Sequence, residues 1–355
     1  MYNFTYHSNS ARVIFGIGKS HLLAEEIQAL GCSRALLLST PEQRADVERQ
    51  ETVLGPLCVG IFANATMHTP VEVTEQALDY YQRIGADCVV ALGGGSTIGL
   101  GKAIAYRNDA PQLVIPTTYA GSEVTPILGQ TADGIKTTVS SNKILPEVVI
   151  YDAQLTLGLP VAMSVTSALN AMAHAVEGLY AKNRNPITSL MAIDGIRALH
   201  RALPQIILQP DNLEARREAQ YGAWLCGTVL GSVGMALHHK LCHTLGGSFG
   251  LPHAQTHAVM LPHTAAYNQD AAAEWLRPLG DVFGSDLGAG LYDFAKDLNA
   301  PMALRDLGLS ESDLDCATEL ALRNPYWNPR PLESAAIRDL LQRAWSGDRP
   351  VNGGL

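Results

Sequence analysis

The character of the chain changes at Leu159-Pro160. Before that point, short β-branched or aliphatic runs alternate with amphipathic helical stretches. After it, strand-like runs stop and only long 3.6-residue periods remain. The first pattern buries its strands as a mostly parallel sheet covered by helices, and the second buries its apolar stripes by packing helix on helix. The sequence therefore predicts an α/β domain over residues 1–157 and an all-helical domain over residues 158–355. A chain of 355 residues is long enough for each to own a core.

In the first part the expected strands are Arg12 to Phe15, Ala35 to Ser39, Cys58 to Phe62, Cys88 to Leu92, Leu113 to Pro116 and Val148 to Tyr151, with helices such as Leu22 to Leu30 and Val71 to Ile84 between them. From Val124 to Ser141 the sequence is polar and β-rich, and Asp133-Gly134 reads as a hairpin turn, so an antiparallel flap is expected there. In the second part Ser164 to Tyr180, Ile187 to Leu208 and Leu213 to Gly231 read as helices.

A net charge of −9 argues against nucleic acid, which calls for a basic stripe, and against an anionic membrane surface. No run of about eighteen apolar residues is present, and the opening MYNFTYHSNS has no apolar signal core. A cytoplasmic enzyme is expected. Cys32, Cys58, Cys88, Cys226, Cys242 and Cys316 are scattered without a C-x-x-C pair and read as reduced core thiols.

Two glycine turns compete as phosphate cradles. Gly16 to Ser20 (GIGKS) follows a strand, but the opening glycine of a P-loop would fall on Val13, so that reading fails. Gly93-Gly94-Gly95-Ser96 lies between a strand and the helix Ile98 to Tyr106. Its bare backbone suits close approach of a pyrophosphate, and the helix start supplies amide donors. Ile98 occupies the last glycine position of G-x-G-x-x-G, so this is not the ordinary dinucleotide fingerprint. Pro116 to Glu123 follows the next strand and offers Thr117, Thr118 and Ser122 as a second wall.

The stretch Gly234 to His263 holds six of the eleven histidines. His239 and His243 stand four apart, as do His253 and His257, so each pair projects from one helical face. Gly246-Gly247 is expected to end the first helix, and Leu251-Pro252 to begin the second. Two helices meeting at such a turn point imidazoles into one space, where they serve proton transfer or metal binding. Asn170 and His174 share a face of the alanine-rich SALNAMAHAVEG helix. Arg323 to Arg330 (RNPYWNPR) sets two arginines in a proline-rigid loop, and either arginine suits a carboxylate.

GGGS after one strand, PTT…GSE after the next, the helix reading (D/N)AxxHAxE, and HxxxHxLG…PH together resemble the iron-containing alcohol dehydrogenase superfamily over nearly the whole chain, and within it the maleylacetate reductase family. The resemblance implies the dehydroquinate synthase-like fold: a nucleotide-binding α/β domain, an all-α catalytic domain, an active site in the cleft between them, and a homodimer. It implies reduction of maleylacetate, a small dicarboxylate, to 3-oxoadipate by NADH or NADPH. His243 and His253 would be catalytic, with Asn170, His174, His239, Lys102 and Arg323 as substrate contacts. Gly93, Gly94, Gly95, Ser96, Thr117, Thr118, Ser122, Thr40 and Lys136 would contact the cofactor. Relatives that bind a divalent ion use one aspartate and three histidines, which fall here on Asn170, His174, His239 and His253. With an amide in place of the carboxylate, no metal is expected. Gly99 stands where many relatives carry an aspartate, and Thr40 where NAD-specific ones carry a carboxylate. The alternative within the superfamily is a metal-dependent dehydrogenase of alcohols or polyols.

Overall fold

The computed structural model describes residues 3–8, 11–132, 135–324 and 326–351, with Ile135 and Lys136 described by backbone alone. The chain divides into two units, one of residues 8–159 and 211–220, the other of residues 1–7, 160–210 and 221–355.

The first unit is built on six parallel strands: β1 (Arg12–Phe15), β2 (Ala35–Leu38), β3 (Cys58–Phe62), β4 (Cys88–Gly93), β5 (Gln112–Pro116) and β8 (Val148–Tyr151). Their order across the sheet is β1-β8-β5-β4-β2-β3. The helices of this unit are α1 (Leu23–Ala29), α2 (Arg44–Leu54), α3 (Val71–Ile84) and α4 (Gly95–Asn108). Strand β2 is buried on both faces. Ala35 and Leu37 pack with Leu23, Ile27, Val47 and Leu54, whereas Leu36 and Leu38 pack with Ala77, Leu100 and Ile104. The two-residue alternation of a strand thus serves helices on opposite faces, as a parallel sheet requires. The chain leaves β2 toward β3 on one side and β4 toward β5 on the other. That reversal opens a crevice at the carboxyl ends of β2 and β4, the usual nucleotide position in such sheets. Strands β6 (Ile127–Ala132) and β7 (Ile135–Ser140) form the antiparallel flap, and its Asp133-Gly134 turn lies outside the described residues.

The second unit is helical: α5 (Val161–Leu179), α6 (Pro186–Leu208), α7 (Leu213–Ser232, whose start belongs to the first unit), α8 (Leu237–Phe249), α9 (His253–Asn268), α10 (Ala273–Leu276), α11 (Gly280–Phe283), α12 (Leu287–Asp297), α13 (Leu314–Leu322) and α14 (Ser334–Ser346). Every residue of α5 from Ser164 to Leu179 is buried. A helix apolar nearly all round belongs at the centre of its unit, and α5 packs against α6 and α9. Helix α8 does not stop at Gly246-Gly247. It runs through both to Phe249 and is capped by Gly250 at φ 71°, the left-handed conformation that ends many helices on glycine. Among the cysteines, Cys316 is exposed and Cys58 half-buried, so the reading as core thiols fits only Cys32, Cys88, Cys226 and Cys242. No helix of the described residues is long and apolar enough to cross a membrane.

Candidate active site

Two sites emerge, one in each unit. In the α/β unit the first glycine turn is closed to ligands, because the Gly18 and Ser20 amides donate to Asp152 Oδ1 and Oδ2 at 2.8 and 2.9 Å. The second turn is open. Gly93 closes β4, Gly94 is the N-cap of α4, and a Cβ built on Gly95 meets nothing within 4 Å. A Cβ on Gly94 would come within 2.7 Å of Thr118 Cγ2, so the turn and the Thr117-Thr118 wall fit only without a side chain there. Gln43, which the sequence reading passed over, donates to Thr117 Oγ1 at 3.0 Å. The hydroxyls of Ser39, Thr97 and Ser122 are buried without partners among the described residues. Buried hydroxyls seldom stay unpaired unless a ligand completes them. A bare cradle, first-turn amides and waiting hydroxyls fit a dinucleotide diphosphate and ribose. The space over Gly99, where many relatives carry an aspartate, is filled by Thr69, whose Oγ1 lies 2.4 Å from where a Cβ would stand.

Lys102 is not available to a substrate. It is 2% exposed, and Nζ donates to Ser122 O, Thr125 O, Thr125 Oγ1 and Ile127 O at 2.6 to 3.0 Å. Four acceptors use every proton an ammonium has, so this lysine pins the loop between β5 and β6. Burial pulls its pKa down to about 7, against the pull of Glu123. Thr40 follows β2, and its hydroxyl together with Glu42's own backbone amide, the larger influence, holds the Glu42 carboxyl below its ordinary pKa. The Lys136 side chain lies outside the described residues.

In the helical unit α5, α8 and α9 bring the histidines together. His174 Nδ1 of α5 lies 2.8 Å from His239 Nε2 of α8. The His239 ring is 6.0 Å from that of His243 and 5.2 Å from that of His257, and the His257 ring is 4.4 Å from that of His253. Asn170, His174, His238, His239 and His257 are buried, whereas His243 is exposed and His253 half-buried. Arg323 is exposed, and Arg330 lies over the Tyr267 ring at 4.3 Å.

Glu177 organises this site. It is 1% exposed; its Oε1 and Oε2 accept the amides of His238 and Ala236 at 2.7 and 3.0 Å, and Oε2 accepts Nδ1–H of His239 at 2.6 Å. Burial alone would raise its pKa, but the bond and charge of His239, with His238 and the Ala236 amide, hold it below the ordinary range. The carboxylate sits at the start of α8, where the helix dipole favours a negative charge. By fixing the proton of His239 on Nδ1 it leaves Nε2 as a lone pair. Glu177 stands three residues past His174, and that carboxylate in an alanine-rich helix is the signal that would have found it.

Residues 10–153 match the family described as iron-containing alcohol dehydrogenase, and residues 164–345 match the Fe-containing alcohol dehydrogenase family, C-terminal. The chain is an oxidoreductase and belongs to the iron-containing alcohol dehydrogenase family. Maleylacetate reductase of Rhizobium sp. strain MTP-10005 is 63% identical to it over 350 residues, covering 99% of this chain and 100% of that protein. The crystal structure of maleylacetate reductase from Agrobacterium tumefaciens superposes with a TM-score of 0.96 at 63% identity over 99% of this chain and 100% of that one. An iron-containing alcohol dehydrogenase from Corynebacterium glutamicum superposes with a TM-score of 0.92 at 40% identity over 97% of each chain.

Membership of this family overturns the expectation that no metal is needed, since an iron or related ion belongs to the family. The residues fit one. Asn170 Oδ1 is buried with no partner among the described residues, and beside it on α5 stands His174, paired with the His239 lone pair. Imidazole nitrogens of this kind suit iron or zinc, and the Asn170 oxygen offers a further, neutral donor. The negative charge that position 170 lacks is supplied from behind His239 by the buried carboxylate of Glu177.

Proposed function

We propose that the chain uses NADH or NADPH to reduce the carbon–carbon double bond of maleylacetate, giving 3-oxoadipate, in the breakdown of aromatic compounds. The α/β unit holds the reduced dinucleotide at Gly93 to Ser96, and the helical unit serves the substrate. The observation that carries this reading is the division of the histidines into a buried tier and an outward tier on the same helices. Hydride adds to the alkene carbon β to the ketone, negative charge collects on the ketone oxygen, and a proton completes the neighbouring carbon. His243 and His253, the outward pair, donate to that oxygen and return the proton. His174, His239 and Asn170 are turned inward and hold the metal, which when bound polarises a carbonyl oxygen as a Lewis acid. Arg323, exposed on its loop, is the candidate for a substrate carboxylate. A homodimer in the cytoplasm is expected from the family resemblance.

The test is a reduced cofactor deuterated at the transferable position. Label on the former alkene carbon that bears the carboxylate supports the reading, and label on the ketone carbon of a hydroxy acid overturns it. His243→Ala and His253→Ala should each lower kcat by about two to four decades with cofactor binding unchanged. A variant with near-normal kcat removes that histidine from the reaction.

A further inference from the structure

Two thiols of the first unit stand together at the end of the sheet away from the cofactor crevice. Cys32 lies in the turn between α1 and β2, and Cys88 opens β4. The strand register sets Ala35 beside Cys88, and the Asp87 amide donates to Arg34 O at 2.9 Å, so that turn is held against the start of β4. Gly93 closes the same strand. The cluster and the glycine cradle are thus at opposite ends of β4, about 16 Å apart at about 3.3 Å per residue. Asp87 completes the group. Its Oδ2 accepts the Ser33 amide at 2.8 Å and the Ser33 hydroxyl at 3.3 Å, and its Oδ1 accepts the Arg34 amide at 2.9 Å. These bonds fix the carboxylate, and an oxygen with two lone pairs that accepts one bond keeps the other to give. Cys32 is 7% exposed and Cys88 has no exposed surface. The Cys32 thiol faces the carbonyls of Leu30 and Asp87, both at 3.8 Å, and such a weak donor is easily displaced.

The two sulfurs and a carboxylate oxygen of Asp87 all lie within 4.8 Å of one another. Around a tetrahedral ion with bonds of about 2.3 Å to sulfur and about 2.1 Å to oxygen, the sulfurs stand about 3.8 Å apart and each about 3.6 Å from the oxygen. The donors therefore have to close by about 1 Å at most, which small side-chain rotations provide. The local field favours a cation. Burial first, and then Asp87, raise the Cys32 thiol, and burial, and then Cys32 and Asp87, raise Cys88 further. Tyr81 borders the same group: burial, and then Cys88, Asp87 and Cys32, push its phenol up to about 12. Negative charge that retains thiol protons also attracts the divalent ion that displaces them. Sulfur ligands select soft or borderline ions over magnesium or calcium. We infer that Cys32, Cys88 and Asp87 form a second ion site, made of other residues than the metal site of the helical unit, for a thiophilic divalent ion such as zinc or cadmium. Each ion bound displaces two protons, one from each thiol, and no electron moves. Three protein ligands leave the fourth place to solvent, as in sites whose ion stays accessible. The ion ties the turn that enters β2 to the turn that enters β4, and so staples, from their far ends, the two strands at the cofactor crevice.

The test is a titration of the full-length protein as purified, its thiols reduced and the reductant removed, with cadmium chloride. Thiolate-to-cadmium charge transfer in the ultraviolet reports sulfur ligation, and a pH indicator counts the protons. Imidazole and amide ligands give no such absorption, so uptake by the helical unit is counted apart. In wild type the absorption should saturate at one thiolate-bound cadmium per chain, with two protons released for it, and the unfolding temperature should rise. Cys32→Ser and Cys88→Ala should each lose the absorption at one equivalent together with the rise in unfolding temperature, while turnover without cadmium stays as in wild type. Asp87→Asn should move saturation to higher cadmium with the absorption retained. Cys242→Ser and Cys316→Ser should leave the absorption in place, although Cys242 lies beside His238 and Cys316 is exposed. Circular dichroism identifies the folded variants, and if Cys88→Ala does not fold, Cys32→Ser decides. A reduced wild type without the absorption overturns the inference. Absorption that survives in Cys32→Ser, or that disappears in Cys242→Ser or Cys316→Ser, overturns it too. The reaction proposed above is judged separately, by the deuterium assay.

Discussion

Glu177 Oε2 lies 2.6 Å from His239 Nδ1, both side chains are buried, and the same carboxylate receives the amides that begin α8. One side chain thus sets a tautomer and starts a helix. Glu177→Gln keeps the shape but turns one oxygen into an amide nitrogen facing backbone donors. Stability should fall by about 2 to 3 kcal/mol and metal affinity by about 10- to 100-fold, read by urea unfolding and cobalt titration. Unchanged values in both would remove Glu177 from this role.

A second prediction concerns His263, which is buried with Nε2 unpartnered among the described residues. Burial first, and then the charge of Arg343, lower its pKa to about 4. The unfolded chain, with an ordinary histidine near 6.5, binds this proton over a range where the native chain does not. Stability from this group is therefore complete above about pH 6.5 and is lost as pH falls toward about 4, in total about 3 kcal/mol. His263→Gln should flatten that slope of unfolding free energy against pH. An unaltered slope would refute the assignment.

Lys102 offers the third. Lys102→Met leaves the carbonyls of Ser122, Thr125 and Ile127 without their donor, and should destabilise the protein by about 3 to 5 kcal/mol. A folded variant of near-normal stability with only a raised substrate KM would return Lys102 to the substrate.

What the sequence revealed follows from how local each signal is. The switch of period at Leu159-Pro160 and the glycine turn after β4 are written in neighbouring residues, and both were legible. The end of α8 was not, because the cost of about 1 kcal/mol per glycine in a helix is one that tertiary packing overrides, and the stop depends on Gly250 reaching a left-handed conformation. Glu177, and the structural role of Lys102, escaped because their partners are remote or irregular: Glu177 meets His239 across 62 residues of chain, and Lys102, expected at the substrate, meets a loop of carbonyls.

The last prediction concerns cofactor choice. Thr40 alone, lacking the carboxylate of NAD-specific relatives, points to acceptance of NADPH alongside NADH. Its hydroxyl, however, holds the carboxylate of Glu42 just beyond the end of β2, on the crevice where the sheet order reverses. A ribose 2′-hydroxyl can donate to such a carboxylate, whereas a 2′-phosphate is repelled by it. At about 4 Å in water-like surroundings two unit charges repel by about 1 kcal/mol, a factor of about five. NADH should therefore be preferred, and Glu42→Gln should raise kcat/KM for NADPH relative to NADH by about five- to tenfold. Added salt should shrink the wild-type preference, since exposed charges are screened over about 10 Å at 0.1 M. Thr40→Asp should depress NADPH use further. Equal shifts for both cofactors in the two variants would show that neither side chain lies at the ribose.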